Sequence, residues 1–264
     1  MKRIKDYLER RYYQFMRLIV GRKRRDEMLR RKEMKYNSDL VKMYGPEAPR
    51  VFTEIVSSEN SSYWLFWGTL LGAYREHAFI KLDEDIDVGM FSSDMTTSLI
   101  EKMETHGFKC LHVIVDKDLN GEIHFAFDYK GVKFDIYSFS ENSDKKNYTV
   151  FMPIPFKDKK AGRIRTDIWE EVHIIVPIWQ TIDSILFEGA STFIPSNADE
   201  ILKILYGTNY MTPIPGYKAS AEYNENKIHL DQNNYACLMS YEMFKMFKQH
   251  VWERGCIWNV CGSS

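Results

Sequence analysis

Long apolar runs are missing from this chain. No stretch approaches the roughly twenty consecutive apolar residues that cross a bilayer as a helix. The nearest, Tyr12 to Val20, is interrupted by Gln14 and Arg17. The expectation is therefore a protein without a secretory leader that is soluble or lies on a membrane surface. Cysteine is also sparse: Cys110, Cys237, Cys256 and Cys261 form no CxxC spacing and no dense framework. Reduced thiols in a cytoplasmic setting are the simplest expectation. The histidines, His124 and His173 among them, lack metal-ligand spacing such as HxxxH, which argues against zinc. A net charge of −1 gives the whole chain no reason to seek nucleic acid. Internal repeats are absent as well.

What is present suffices for one sizeable domain: 264 residues, 44% of them hydrophobic. Charge is unevenly placed. Residues 1–35 are crowded with Lys and Arg, while Ile4, Leu8, Tyr12, Phe15 and Ile19 recur at spacings of three or four. That pattern predicts a basic amphipathic helix. Its apolar stripe has two readings, docking on the body of the protein or lying on anionic lipid. Gly45, Pro46 and Pro49 mark a break, so the expected organisation is a basic segment over 1–45 and a main domain over 46–264.

Within the main domain the pattern predicts helices over 48–58, 69–76, 94–106 and 198–206, with Thr69 as the N-cap of the second. Gly107 and Gly207 follow two of them as stop signals. Strands are expected over 63–67, 86–90, 108–115, 123–129 and 132–139, the last two joined at Lys130-Gly131. The lysine-rich stretches 140–147 and 157–163 read as loops, and 235–252 as an amphipathic helical tail. The class is α+β.

The densest chemistry lies in Gly68-Thr69-Leu70-Leu71-Gly72-Ala73-Tyr74-Arg75 followed by Asp83-Glu84-Asp85-Ile86-Asp87-Val88. On an extended strand alternate side chains share a face. Asp85 and Asp87 then stand together while Ile86 and Val88 enter a core. Paired carboxylates repel unless a cation lies between them, which is the arrangement that holds a divalent metal against phosphate. Asp135 lies in a second apolar strand, Val132-Lys133-Phe134-Asp135-Ile136-Tyr137, where an acid is costly unless paired or metal-bound. A third carboxylate from a neighbouring strand would complete a cage. Arg75 offers a fork suited to phosphate oxygens.

These segments, with Phe79-Ile80-Lys81-Leu82, resemble the signature of the LicD/fukutin family. A later block, Leu186-Phe187-Glu188-Gly189, Phe193-Ile194-Pro195 and Leu205-Tyr206-Gly207, resembles that family's C-terminal motif. The chain departs from the pattern at Lys81-Leu82, where the family has Pro-Trp, and at Glu84. The resemblance implies a polymerase-β-like nucleotidyltransferase core, a mixed sheet flanked by helices. It also implies transfer of a phosphocholine-like or polyol phosphate from a CDP-activated donor to a glycan or lipid-linked glycan, with release of CMP. Such chemistry belongs to cell-surface polysaccharide biosynthesis and would place the enzyme in the cytoplasm or at the inner face of the cell membrane. Carried over, Asp85, Asp87 and Asp135 hold Mg2+ or Mn2+ and carry catalysis, Asp83 is a further metal or supporting acid, and Gly68, Thr69 and Arg75 meet the donor. The rival reading is a nucleotidyltransferase that moves a nucleoside monophosphate to a small-molecule hydroxyl.

Overall fold

The computed structural model describes residues 22–116, 121–158, 163–213, 227–229 and 235–247. The apolar stripe expected before residue 20 lies outside them. In chain order the elements are α1 (Arg22–Tyr44), α2 (Glu47–Ser58), β1 (Tyr63–Leu65), α3 (Trp67–Glu76), β2 (Asp85–Phe91), a 3-10 turn (Ser92–Asp94) and α4 (Thr97–Thr105). Then come β3 (Phe108–Val115), β4 (Ile123–Tyr129), β5 (Val132–Glu141), β6 (Asn147–Phe151), β7 (Ile154–Asp158), β8 (Arg163–Glu170) and β9 (Val172–Pro177). The chain continues through β10 (Ile182–Phe187), β11 (Ala190–Pro195), α5 (Ala198–Tyr206), β12 (Lys227–His229), β13 (Tyr235–Met239) and α6 (Tyr241–Phe247).

Eleven strands make one curled, mixed sheet, and β10 and β11 form a separate hairpin. The mixed α+β class is as expected. The centre of the sheet is β5. It pairs in parallel with β2 over residues 133–139, antiparallel with β4 over 132–137, and with β6 over 139–141. Its Lys130-Gly131 turn to β4 has both residues in the left-handed region (φ 54° and 89°), the geometry a tight hairpin requires.

One face of this sheet centre makes the core. Ile86 and Val88 of β2, Phe134 and Ile136 of β5, and Phe125 and Phe127 of β4 meet in register and have no exposed surface. Helix α2 covers that core with Phe52, Ile55 and Val56, a run at helical spacing, and Phe52 lies 5.0 Å from Phe134 between ring centres. Pro49 is accommodated because it falls in the first turn, where no intrahelical partner is lost. Helix α1 runs to Tyr44, up to the break expected at residue 45. Its last turns are anchored on the body, with Ser38 and Val41 buried.

Three expectations need correction. Residues 235–239 form β13 instead of helix, because both edges of that segment find partners: Cys237 opposes Val115 of β3 and Tyr235 opposes Glu170 of β8. Pairing on two sides outweighs a modest local preference. The helix that follows covers only Tyr241–Phe247 among the described residues. Of the stretch expected as a loop at 157–163, Lys157 and Asp158 end β7 and Arg163 begins β8, while 159–162 lie outside the described residues. Cys237 is disulfide-bonded, at odds with four reduced thiols, whereas Cys110 is free. No described helix is long and apolar enough to cross a membrane.

Candidate active site

The alternation of β2 and β5 that buries Ile86, Val88, Phe134 and Ile136 turns Asp85, Asp87, Lys133, Asp135 and Tyr137 to the opposite face. The parallel pairing sets their order, with Asp85 opposite Lys133 and Asp87 opposite Asp135. One oxygen from each of Asp85, Asp87 and Asp135 lies within 4.8 Å of the others, close enough to share a metal ion. Asp135 is 1% exposed and Asp87 8%, while Asp85 is half-buried.

Asp135, the most buried of the three, is held by specific partners. Lys133 Nζ donates to Asp135 Oδ2. His124, reaching across from β4, places Nε2 3.5 Å from Asp135 Oδ1, a contact too long for a strong hydrogen bond. That oxygen and His124 Nδ1 are both buried without a hydrogen-bond partner. The electrostatics follow the surroundings. Burial, then the charges of Asp85 and Asp135, hold the Asp87 carboxyl well above the usual carboxylate range. Burial and Asp135 push Asp85 up to about 6. Burial raises Asp135 too, but Lys133 and His124 outweigh it and bring it down to about 2. Burial works against a charged Lys133, yet Asp135 and Asp85 hold its ammonium above the ordinary value. Tyr137 is raised by burial and then by the three acids.

A divalent ion fits these residues. The oxygens converge, and Asp135 Oδ1 is buried without a hydrogen bond, with only the long His124 contact beside it among the described residues.

Helix α3 positions β2. Thr69 has no exposed surface, and its hydroxyl accepts the Asp87 backbone N–H at 2.9 Å. This corrects its expected N-cap role: the helix begins at Trp67 with Phe66 as the cap residue, and Thr69 ties the first turn to the strand. The left-handed residue of the turn is Trp67 (φ 44°), not Gly68. A bulky side chain rarely adopts that region, so this backbone is strained beside the acids. Gly68 serves by its size, since a Cβ there would stand 3.3 Å from Asp83 Oδ1.

Asp83 stands outside the cage. Its buried Oδ2 has no hydrogen-bond partner, and burial followed by the Asp85 charge raises it well above the usual range. Its backbone N–H donates to the Ile80 carbonyl. The approach loop is clamped by the tip of the β10–β11 hairpin. Glu188 Oε1 accepts the Phe79 N–H at 2.8 Å, and the Glu188 N–H donates to the His77 carbonyl at 3.0 Å.

Arg75 has other partners. Its guanidinium donates to Glu76 Oε1 and, at 3.1 Å, to the Tyr210 carbonyl. Six residues after Thr69, it sits about 9 Å farther along the helix axis. Sequence reasoning did not single out Lys133, His124 or Tyr137. Lys133 and Tyr137 could have been found, because they share the Asp135 face by strict alternation. His124 could not, since only the β4–β5 register puts it there.

On the same face, His112 of β3 lies 6.1 Å from His124 and 5.8 Å from Trp169 of β8 between ring centres. Burial, then proximity to His124, lowers His112 to about 4, so its imidazole is neutral near pH 7.

The family model described as LicD/FKTN/FKRP, nucleotidyltransferase domain, matches residues 60–197, a little over half of the chain, and that span contains all three acids. The chain is 32% identical over 82 residues to ribitol-5-phosphate transferase FKTN of Mus musculus, which is 31% of this chain and 18% of that protein. The human FKTN protein is 30% identical over the same length. An uncharacterised protein of Rickettsia prowazekii (strain Madrid E) is 42% identical over 41 residues, 16% of this chain and 15% of its own. The matched stretch is thus a small part of each of these relatives.

Proposed function

The chain belongs to the LicD/FKTN/FKRP nucleotidyltransferase-domain family, and on that premise we propose that it is a metal-dependent transferase of the polymerase-β-like fold. It moves a phospho-alcohol, phosphocholine-like or a polyol phosphate, from a CDP-activated donor to a glycan hydroxyl. The observation that carries this reading is the register of Asp87 against Asp135 on parallel strands, with Asp85 beside them. Likeness to ribitol-5-phosphate transferase supports the class of group transferred.

In this reaction the acceptor oxygen attacks the phosphorus that carries the alcohol, the bond to the CMP oxygen breaks, and CMP leaves with its electron pair. Asp85, Asp87 and Asp135 would hold Mg2+ or Mn2+, which when bound neutralises phosphate charge. The remaining work falls to the chain. Thr69 and the parallel pairing fix β2 against β5, so the acids are set before substrate arrives. Asp85, the most open of the three, is the carboxylate that an incoming hydroxyl reaches and can hand its proton to. Gly68 keeps the first turn of α3 free of side-chain bulk beside Asp83.

The acceptor is a glycan or lipid-linked glycan, and the basic N-terminal segment favours work at an anionic membrane surface on the cytoplasmic side. The test is a panel of CDP-alcohols with Mg2+ or Mn2+ and analysis of what is released. CMP release that depends on metal is the expected result. Pyrophosphate release from CTP would replace this reading with transfer of a nucleoside monophosphate. No release in either assay would end both.

A further inference from the structure

Lys133 is an unusual neighbour for a metal site. Alternation puts it on the face of Asp135, and the parallel register puts it directly opposite Asp85. Its ammonium is bonded to Asp135 Oδ2, yet its side chain is 47% exposed while that of Asp135 is 1% exposed. The stem is therefore partly in solvent while the charge reaches a buried carboxylate. A single ammonium there offsets part of the charge of three carboxylates. The other oxygen of Asp135 is buried with no hydrogen-bond partner. The acceptor most in need of a cation is thus beside the one that Lys133 already holds.

We propose that Lys133 is the resident counter-cation of the acid cluster, that it gives up its hold on Asp135 when a divalent ion enters, and that it then turns to the phosphates of the donor. The inference rests on the metal-dependent reading given above. It follows from charge and reach. Two cations at one carboxylate repel, so a metal on Asp135 loosens the Lys133 contact. The freed ammonium stays tethered opposite Asp85, on a side chain that is 47% exposed and so within reach of an anionic donor. Arg75, the cation expected at the donor, is engaged with Glu76 and the Tyr210 carbonyl.

The two halves of the role have opposite signs, and a merely structural lysine would show neither. Removing the ammonium while keeping the stem, as Lys133→Met, removes a competitor of the metal and an attractor of the donor. In the full-length chain without donor, Mn2+ binding followed by electron paramagnetic resonance should tighten by about tenfold in Lys133→Met, an effect of about 1.4 kcal/mol. With Mn2+ saturating, binding of a CDP-alcohol should weaken by about the same factor, because a charged hydrogen bond to phosphate is lost. Lys133→Arg should stay near the wild type on both measures. Thermal unfolding of each variant establishes that it is folded, and Lys133→Gln replaces Lys133→Met if the latter is not. Unchanged or weaker Mn2+ binding in a folded, uncharged variant overturns the inference while leaving the transferase reading in place. Failure of the wild-type protein to bind Mn2+ overturns both.

Discussion

The two faces of β2, β4 and β5 differ as much as two parts of one element can. On one, Ile86, Val88, Phe125, Phe127, Phe134 and Ile136 pack without exposed surface. On the other, one residue away in each strand, stand Asp85, Asp87, Lys133, Asp135, Tyr137 and His124. The first face supplies the burial that drives folding. The second opposes it, since it takes carboxylates out of water and sets them against one another. The sheet can hold a repelling cluster in place because the pleat rigidly couples the two faces. A residue in the core fixes where its neighbour's carboxylate points.

Breaking the apolar face should have the largest effect. Phe134→Ala empties a site that rings of Phe52 and Phe108 line at 5.0 and 5.2 Å, and should cost about 3–5 kcal/mol of stability by chemical denaturation. Breaking the polar face should do the reverse to stability. Asp87→Asn removes a carboxyl whose ionisation is opposed by burial and by the neighbouring acids, so the metal-free protein should unfold at an equal or higher temperature. Turnover should fall by about 10²-fold or more, as for loss of one preorganised electrostatic group. A variant of Asp87 that unfolds readily would put it with the core, and one with near-normal turnover would remove it from the site.

How legible this was in the sequence differs between the faces. The alternation Asp85-Ile86-Asp87-Val88 and the isolated Asp135 among apolar neighbours were enough to assign each residue to a face, because period two is a local property. The neighbour relation was not local. Nothing between residues 87 and 133 announces that β2 and β5 run side by side in parallel, so the convergence of the three acids and the approach of Lys133 and His124 had to come from tertiary structure. The later sheet was least legible. Strands β6 to β9 and the β10–β11 hairpin carry mixed patterns, and Tyr235–Met239 reads as helix until its two partners are known. Arg75 shows the same limit, since the Tyr210 carbonyl that engages it lies 135 residues away.

A smaller effect sharpens the contrast through pH. The folded-state pKa of Asp85 is raised, from 3.8 to about 6. Its protonated form is therefore the one that favours folding. That contribution is fully present below about pH 4 and is lost as pH rises through about 6, by up to about 3 kcal/mol. Asp135, lowered to about 2, works in the opposite direction but only at more acid pH. Metal-free protein should thus lose stability between about pH 4 and 6, measured by denaturant unfolding at fixed ionic strength. In Asp85→Asn that slope should flatten.

On the proposed function, the polar face is a divalent-metal site built on a frame that is complete without the ion. Its most direct test is the unfolding temperature of the wild-type chain and of Asp87→Asn as Mn2+ is increased at pH 7. Binding to the folded state alone stabilises it by about 2.7 kcal/mol at a hundred times the dissociation constant. The account predicts a rising, saturating curve for the wild type and a flat one for Asp87→Asn. A flat curve for the wild type, or the same rise in both proteins, would contradict it.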